Sequence, residues 1–177
     1  HKKEVAVVNG GPQVGAYDDL AQFGIHRTWG AKQCPFQEIT WEKTAYHCHL
    51  KGWTKLSTLP LWLELDAKFH AGQVMVEMLF QEKSVPEDEI SLLLFLKCDK
   101  LIVGGKHQFE SRSLDRYEGK PVPLELKGSS EKMVLQPDVG QVMKVIPLAG
   151  GDHFWGADFL AAFPINDLQK QLKFELK

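Results

Sequence analysis

The stretch with the clearest chemical potential is His47-Cys48-His49. In an extended strand, residues two apart point to the same face. Two imidazoles placed that way can share one metal ion, with further ligands drawn from a neighbouring strand. Their nitrogens suit zinc, copper or iron, so the implied cofactor is a transition-metal ion. His70, on the polar side of its own alternating run, is the candidate third ligand, and His107 and His153 fall in or near loops. The residues after His49 are Leu50-Lys51-Gly52-Trp53, which bring no carboxylate. A His-x-His spacing carries little specificity on its own. The plain alternative is that His47 and His49 are polar residues on the wet face of a half-buried strand.

Aromatic residues offer a second kind of chemistry. Trp62 falls on the polar side of its run, while Trp53 and Trp155 each adjoin a glycine. An exposed tryptophan can stack on a sugar ring or anchor a protein contact. The competing expectation is that these rings plug the ends of a sheet, because large aromatics are mostly buried.

Other chemistries lack their motifs. There is no G-x-S-x-G elbow and no GxxxxGK[ST] phosphate loop. Gly104-Gly105-Lys106 reads as a turn, and Glu87-Asp88-Glu89 as a solvated loop tip. The net charge of −2 sets up no field for nucleic acid, and Arg112, Arg116 and Lys120 are interleaved with Glu110, Asp115 and Glu118. No stretch reads as a signal or transit peptide, and no apolar run approaches the ~20 residues of a membrane-spanning helix. The 3 cysteines, Cys34, Cys48 and Cys98, are odd in number and widely spaced, which argues against a disulfide framework and leans toward a reducing, intracellular compartment.

The elements that must position these residues follow from hydrophobic periodicity. From Leu61 to Phe69 the odd positions are Leu61, Leu63, Leu65, Ala67 and Phe69. The even ones are Trp62, Glu64, Asp66, Lys68 and His70. That period of two predicts a strand with one dry and one wet face. Val74, Val76, Met78 and Phe80 predict the next strand, and Ile90 to Cys98, apolar on both faces, a central strand covered on each side. The charged segment from Glu82 to Glu89 suits a hairpin loop between those two strands. Glu38–Glu42 and Tyr46–Lys51 suit a hairpin or one long bulged strand.

Further short strands are expected at 5–8, 100–103, 122–126, 133–135 and 141–146, with an irregular connection over 106–117. Short helices are expected near 17–23 and 158–171: Asp18 would cap the first, and Asp158-Phe159-Leu160-Ala161-Ala162-Phe163 has helical composition before Pro164. The alternation of Leu172, Phe174 and Leu176 predicts a final edge strand guarded by Lys173, Glu175 and Lys177.

The resulting expectation is mainly β: a β-sandwich or barrel-like antiparallel sheet with two or three short helices, in one domain over residues 1–177. For function, the absence of a catalytic motif favours a non-catalytic binding or assembly protein. Its partner would be another protein, a second copy of itself as in matrix or coat proteins, or a glycan, met through Trp53, Trp62 and Trp155. A metal-dependent enzyme or metal-binding protein centred on His47, His49 and His70 is the alternative. A small-ligand or lipid carrier, with apolar strands lining a cavity, is a further one.

Overall fold

The chain forms two antiparallel sheets, and the run from Ile90 that is apolar on both sides lies inside the smaller one. The computed structural model describes residues 5–7, 13–16, 27–29, 37–56, 59–70, 73–82, 90–110, 113–137, 142–148, 156–165 and 171–176. Its strands in chain order are β1 (Ala6–Val7), β2 (Gln13–Ala16), β3 (Arg27–Trp29), β4 (Gln37–Lys43), β5 (His47–Leu56) and β6 (Leu59–His70). Next come β7 (Gln73–Glu82), β8 (Ile90–Lys97), β9 (Lys100–Val103), β10 (His107–Glu110) and β11 (Tyr117–Gly119). The last are β12 (Leu124–Lys127), β13 (Lys132–Pro137), β14 (Met143–Pro147), β15 (Phe159–Ile165) and β16 (Gln171–Leu176).

A 7-stranded sheet runs β11-β14-β15-β8-β2-β3, with β1 also paired to β8. A 9-stranded sheet runs β10-β9-β12-β13-β16-β7-β6-β5-β4. Every pairing is antiparallel. One core joins the two sheets. Leu92, Leu94 and Leu96 of β8, Val145 of β14 and Phe159 and Phe163 of β15 meet Leu101, Val103, Leu124, Leu126 and Leu135 of the larger sheet. This is the arrangement of a sandwich, and neither sheet closes on itself among the described residues. On the other face of β8, Leu93 and Phe95 join Ile146, Leu148, Leu160 and Ala162 in a second buried cluster. The central, doubly covered strand predicted from Ile90 onward is therefore present.

Four local expectations are corrected. The helix near 158–171 is not formed at residues 159–165, which are β15, inserted between β14 and β8. Its Ala-Leu-Phe composition suits a helix, but a short continuous apolar run equally suits a strand buried on both faces. Phe159 to Phe163 are all buried. Residues 166–170, and the helix expected near 17–23, lie outside the described residues; no helix occurs among those described.

The segment after β7 does not close a hairpin, because β7 pairs with β6 and β16 while β8 belongs to the other sheet. The stretch expected to be irregular contains β10, paired with β9. Finally, β16 is an internal strand between β13 and β7, so Lys173 and Glu175 are not edge guards. Alternation tells which face a residue takes; it does not tell how many neighbours its strand has.

The β9–β10 turn shows local sequence dictating local structure. Gly104 and Gly105 have φ of 61° and 68°, a region costly for residues with a Cβ. A Cβ on Gly104 would lie 3.2 Å from Val122 Cγ2, whereas one on Gly105 would meet nothing within 4 Å. Gly104→Ala is therefore expected to cost about 1–2 kcal/mol from backbone strain, plus a packing penalty that Gly105→Ala escapes. Thermal unfolding of both variants checks the ranking, and a larger loss at Gly105 would contradict it.

Candidate metal centre

Two connections fix the histidines. The β4–β5 link is a tight turn in which the Thr44 N–H donates to the His47 carbonyl at 2.8 Å. The Tyr46 N–H donates to Thr44 Oγ1 at 3.3 Å. This hairpin settles the alternative of one long bulged strand and makes His47 the first residue of β5. On the other side, β5 pairs with β6 from Leu56↔Leu59 to His47↔Lys68. That register sets His49 directly opposite Asp66 and places His47 diagonal to it, within side-chain reach.

The side chains converge on the outward face of the larger sheet. His47 Nε2 is bonded to Asp66 Oδ1. His49 Nδ1 lies 3.5 Å from the same oxygen. The Lys68 ammonium sits 3.1 Å from Asp66 Oδ2. Burial alone would push the Asp66 carboxyl up, but the hydrogen bonds from His47 and Lys68, with the charges behind them, outweigh it and hold the group below its ordinary value. Asp66 is thus a carboxylate at neutral pH and can only accept, which assigns the proton of the shared bond to His47 Nε2.

One donor atom each from His47, His49 and Asp66 lies within 4.8 Å of the others. Around an ion with bonds of about 2.1 Å, neighbouring donors stand about 3.0–3.4 Å apart. Small side-chain rotations would therefore close the trio on an ion. Ligation through His47 Nε2 would require the tautomer that carries its proton on Nδ1, because the ligating nitrogen must offer its lone pair. Lys68 would keep Oδ2 engaged, leaving Oδ1 to ligate.

The other predicted residues distribute as follows. His70 ends β6 on the same face, diagonal to His47 and one residue pair beyond Lys68; its side chain lies outside the described residues. His107 is on β10, six strand spacings from β6, or about 29 Å along the sheet, and cannot join the group. His153 and Trp155 lie outside the described residues. Trp53 and Trp62 are directly opposite each other on β5 and β6, about 13 Å along the strands from the His49–Asp66 pair. Their side chains, too, lie outside the described residues.

Asp66 is the candidate ligand that sequence reasoning missed. The carboxylate sought after His49 stands across the hairpin from it. Its signal was the register: pairing Leu56 with Leu59 and counting back brings His49 to Asp66.

Cys98 is not a competing centre. It is a free thiol in the core, and burial pushes it up to about 12. It therefore stays protonated and inert at neutral pH. Asp158 Oδ2 accepts the Cys98 backbone N–H at 3.1 Å, and burial raises this carboxyl above its ordinary value. The Asp158 backbone binds Leu96 and Leu148, so the residue ties β8 to the β14–β15 connection.

No family model matches the chain. No curated protein matches it either. No helix among the described residues is long and apolar enough to cross a membrane.

Proposed function

We propose that this chain is a metal-binding protein that takes a divalent transition-metal ion through His47, His49 and Asp66. The convergence of three donor atoms within 4.8 Å carries the proposal. Two imidazoles and one carboxylate favour zinc, copper, nickel or iron over magnesium or calcium, which prefer all-oxygen shells. The role is one of binding. The donor side chains lie on an open sheet face, 39%, 31% and 22% exposed for His47, His49 and Asp66, where an ion meets a partner more readily than an enclosed substrate. Tyr46, exposed and next to His47, is the aromatic side chain nearest to serve such contact, with the Trp53 and Trp62 positions farther along β5 and β6. Carriage of a lipid has less support, since side chains pack against both faces of β8.

Titration calorimetry of metal-free protein with zinc, and thermal unfolding with and without it, test the proposal. At a free ion concentration a hundred times Kd, stability should rise by about 2.7 kcal/mol. Binding should weaken on acidification, as protons compete for the imidazoles. An unfolding midpoint indifferent to zinc, copper and ferrous iron alike would defeat it.

A further inference from the structure

We infer that Lys68 determines which ion the site accepts: by holding one oxygen of Asp66 it limits that carboxylate to a single bond with the metal, which favours zinc-sized ions over larger divalent ones. The inference rests on the metal-binding reading above and deepens it.

The two oxygens of Asp66 are divided between different partners. Both imidazoles gather on Oδ1: His47 Nε2 is bonded to it, and His49 Nδ1 lies 3.5 Å away. The Lys68 ammonium lies 3.1 Å from Oδ2. The strands dictate this division. Lys68 follows Asp66 by two positions on β6 and so shares its face, and the register sets it in a cross-strand row between His47 and Met75. The histidines reach the carboxylate from β5, and the lysine reaches it from along β6. An ion drawn to the imidazoles therefore meets Oδ1, and taking Oδ2 as well would mean displacing the ammonium.

That cost falls unevenly on different ions. Zinc, with bonds of about 2.0–2.2 Å to carboxylate oxygen, is served by one oxygen. Ions of calcium's size, with bonds of about 2.3–2.6 Å, commonly take both oxygens of one carboxylate. Cadmium is such an ion and also accepts imidazole nitrogen. Zinc and cadmium carry the same charge, so the repulsion between Lys68 and a bound ion largely cancels in the ratio of their affinities. What is left in that ratio is the bond to Oδ2. Lys68 is a positioning residue, acting on the ion through Asp66.

Competitive titration of the metal-free full chain with zinc and cadmium tests this in wild type, Lys68→Met and Lys106→Met. Infrared difference spectra of the cadmium-loaded proteins give a structural readout, because ligation by both oxygens narrows the gap between the two carboxylate stretches. In Lys68→Met the preference for zinc over cadmium should fall about tenfold, the lower end of what loss of an outer-shell partner does to metal affinity, and the narrowed gap should appear. Lys106→Met, on the exposed β9–β10 turn, should keep the wild-type preference and spectrum. A preference in Lys68→Met within about twofold of wild type, as expected of an exposed pair that contributes nothing, overturns the inference while leaving the metal site standing. A narrowed gap already present in the wild type, or an equal fall in Lys106→Met, also overturns it. Wild-type protein that binds neither ion removes the metal reading and this inference with it.

Discussion

Asp66→Ala is expected to weaken zinc binding by a hundredfold or more while leaving the metal-free protein close to its original stability. Loss of an outer-shell partner typically costs ten- to a hundredfold in metal affinity, and Asp66 is placed as a direct ligand. It is also the shared anchor: His47, His49 and Lys68 all gather on its two oxygens. The same change should cost the fold little, because partly exposed ion pairs contribute up to about 1 kcal/mol. The split between the two readouts separates ligation from a purely structural role.

The acid dependence has a fixed sign. The folded-state carboxyl of Asp66 lies below its ordinary 3.8, so its stabilising contribution is present above that pH. It is lost as the pH falls through the lower folded value. Calorimetry at neutral pH checks the affinity; wild-type binding by Asp66→Ala would place the ion elsewhere.

Phe159→Ala should destabilise the protein by about 3–5 kcal/mol, the usual cost of emptying a fully buried aromatic site. Phe159 is completely buried and belongs to the core shared by both sheets. It pairs with Leu96 of β8 on one side and Pro147 of β14 on the other. The rigid backbone of an internal strand resists collapse into the void, which keeps the penalty near the upper end. Domains of this kind retain about 5–15 kcal/mol in all, so the variant would sit near the edge of folding at physiological temperature. Urea unfolding gives the value from a shifted midpoint at constant slope. Leu114→Ser, at a side chain 81% exposed, is the control and should stay within about 0.5 kcal/mol. A loss below about 1 kcal/mol at Phe159 would mean the two sheets do not depend on that ring for their packing.

The alternation of Leu61 to Phe69 told the two faces of β6 apart before any coordinates. The half-buried Asp66, buried Ala67 and exposed Lys68 obey it. The run of leucines in β8 likewise announced a strand covered on both sides. The partners of each strand were not legible. Hairpin register is set by the connection, and Ser57-Thr58 carries none of the Asn-Gly chemistry that marks a two-residue turn. Pro60, which looks like loop, is inside β6 opposite Lys55. With the turn unmarked, Asp66 could be assigned to a wet face but not to His49. The same limit hid β15: Ala161 and Ala162 favour a helix in isolation, and the pairing of this segment between β8 and β14 is a tertiary fact.

The placement of β15 and β16 bears on how the molecule comes into being. Each fills an interior slot, one in either sheet, and both come from the final stretch of the sequence. A nascent chain still tethered to the ribosome by that stretch holds β14 apart from β8, and β13 apart from β7. The smaller sheet is incomplete until β15, ending at Ile165, is in place and the larger until β16, ending at Leu176, so loss of these two strands leaves two split half-sheets with their seams bare.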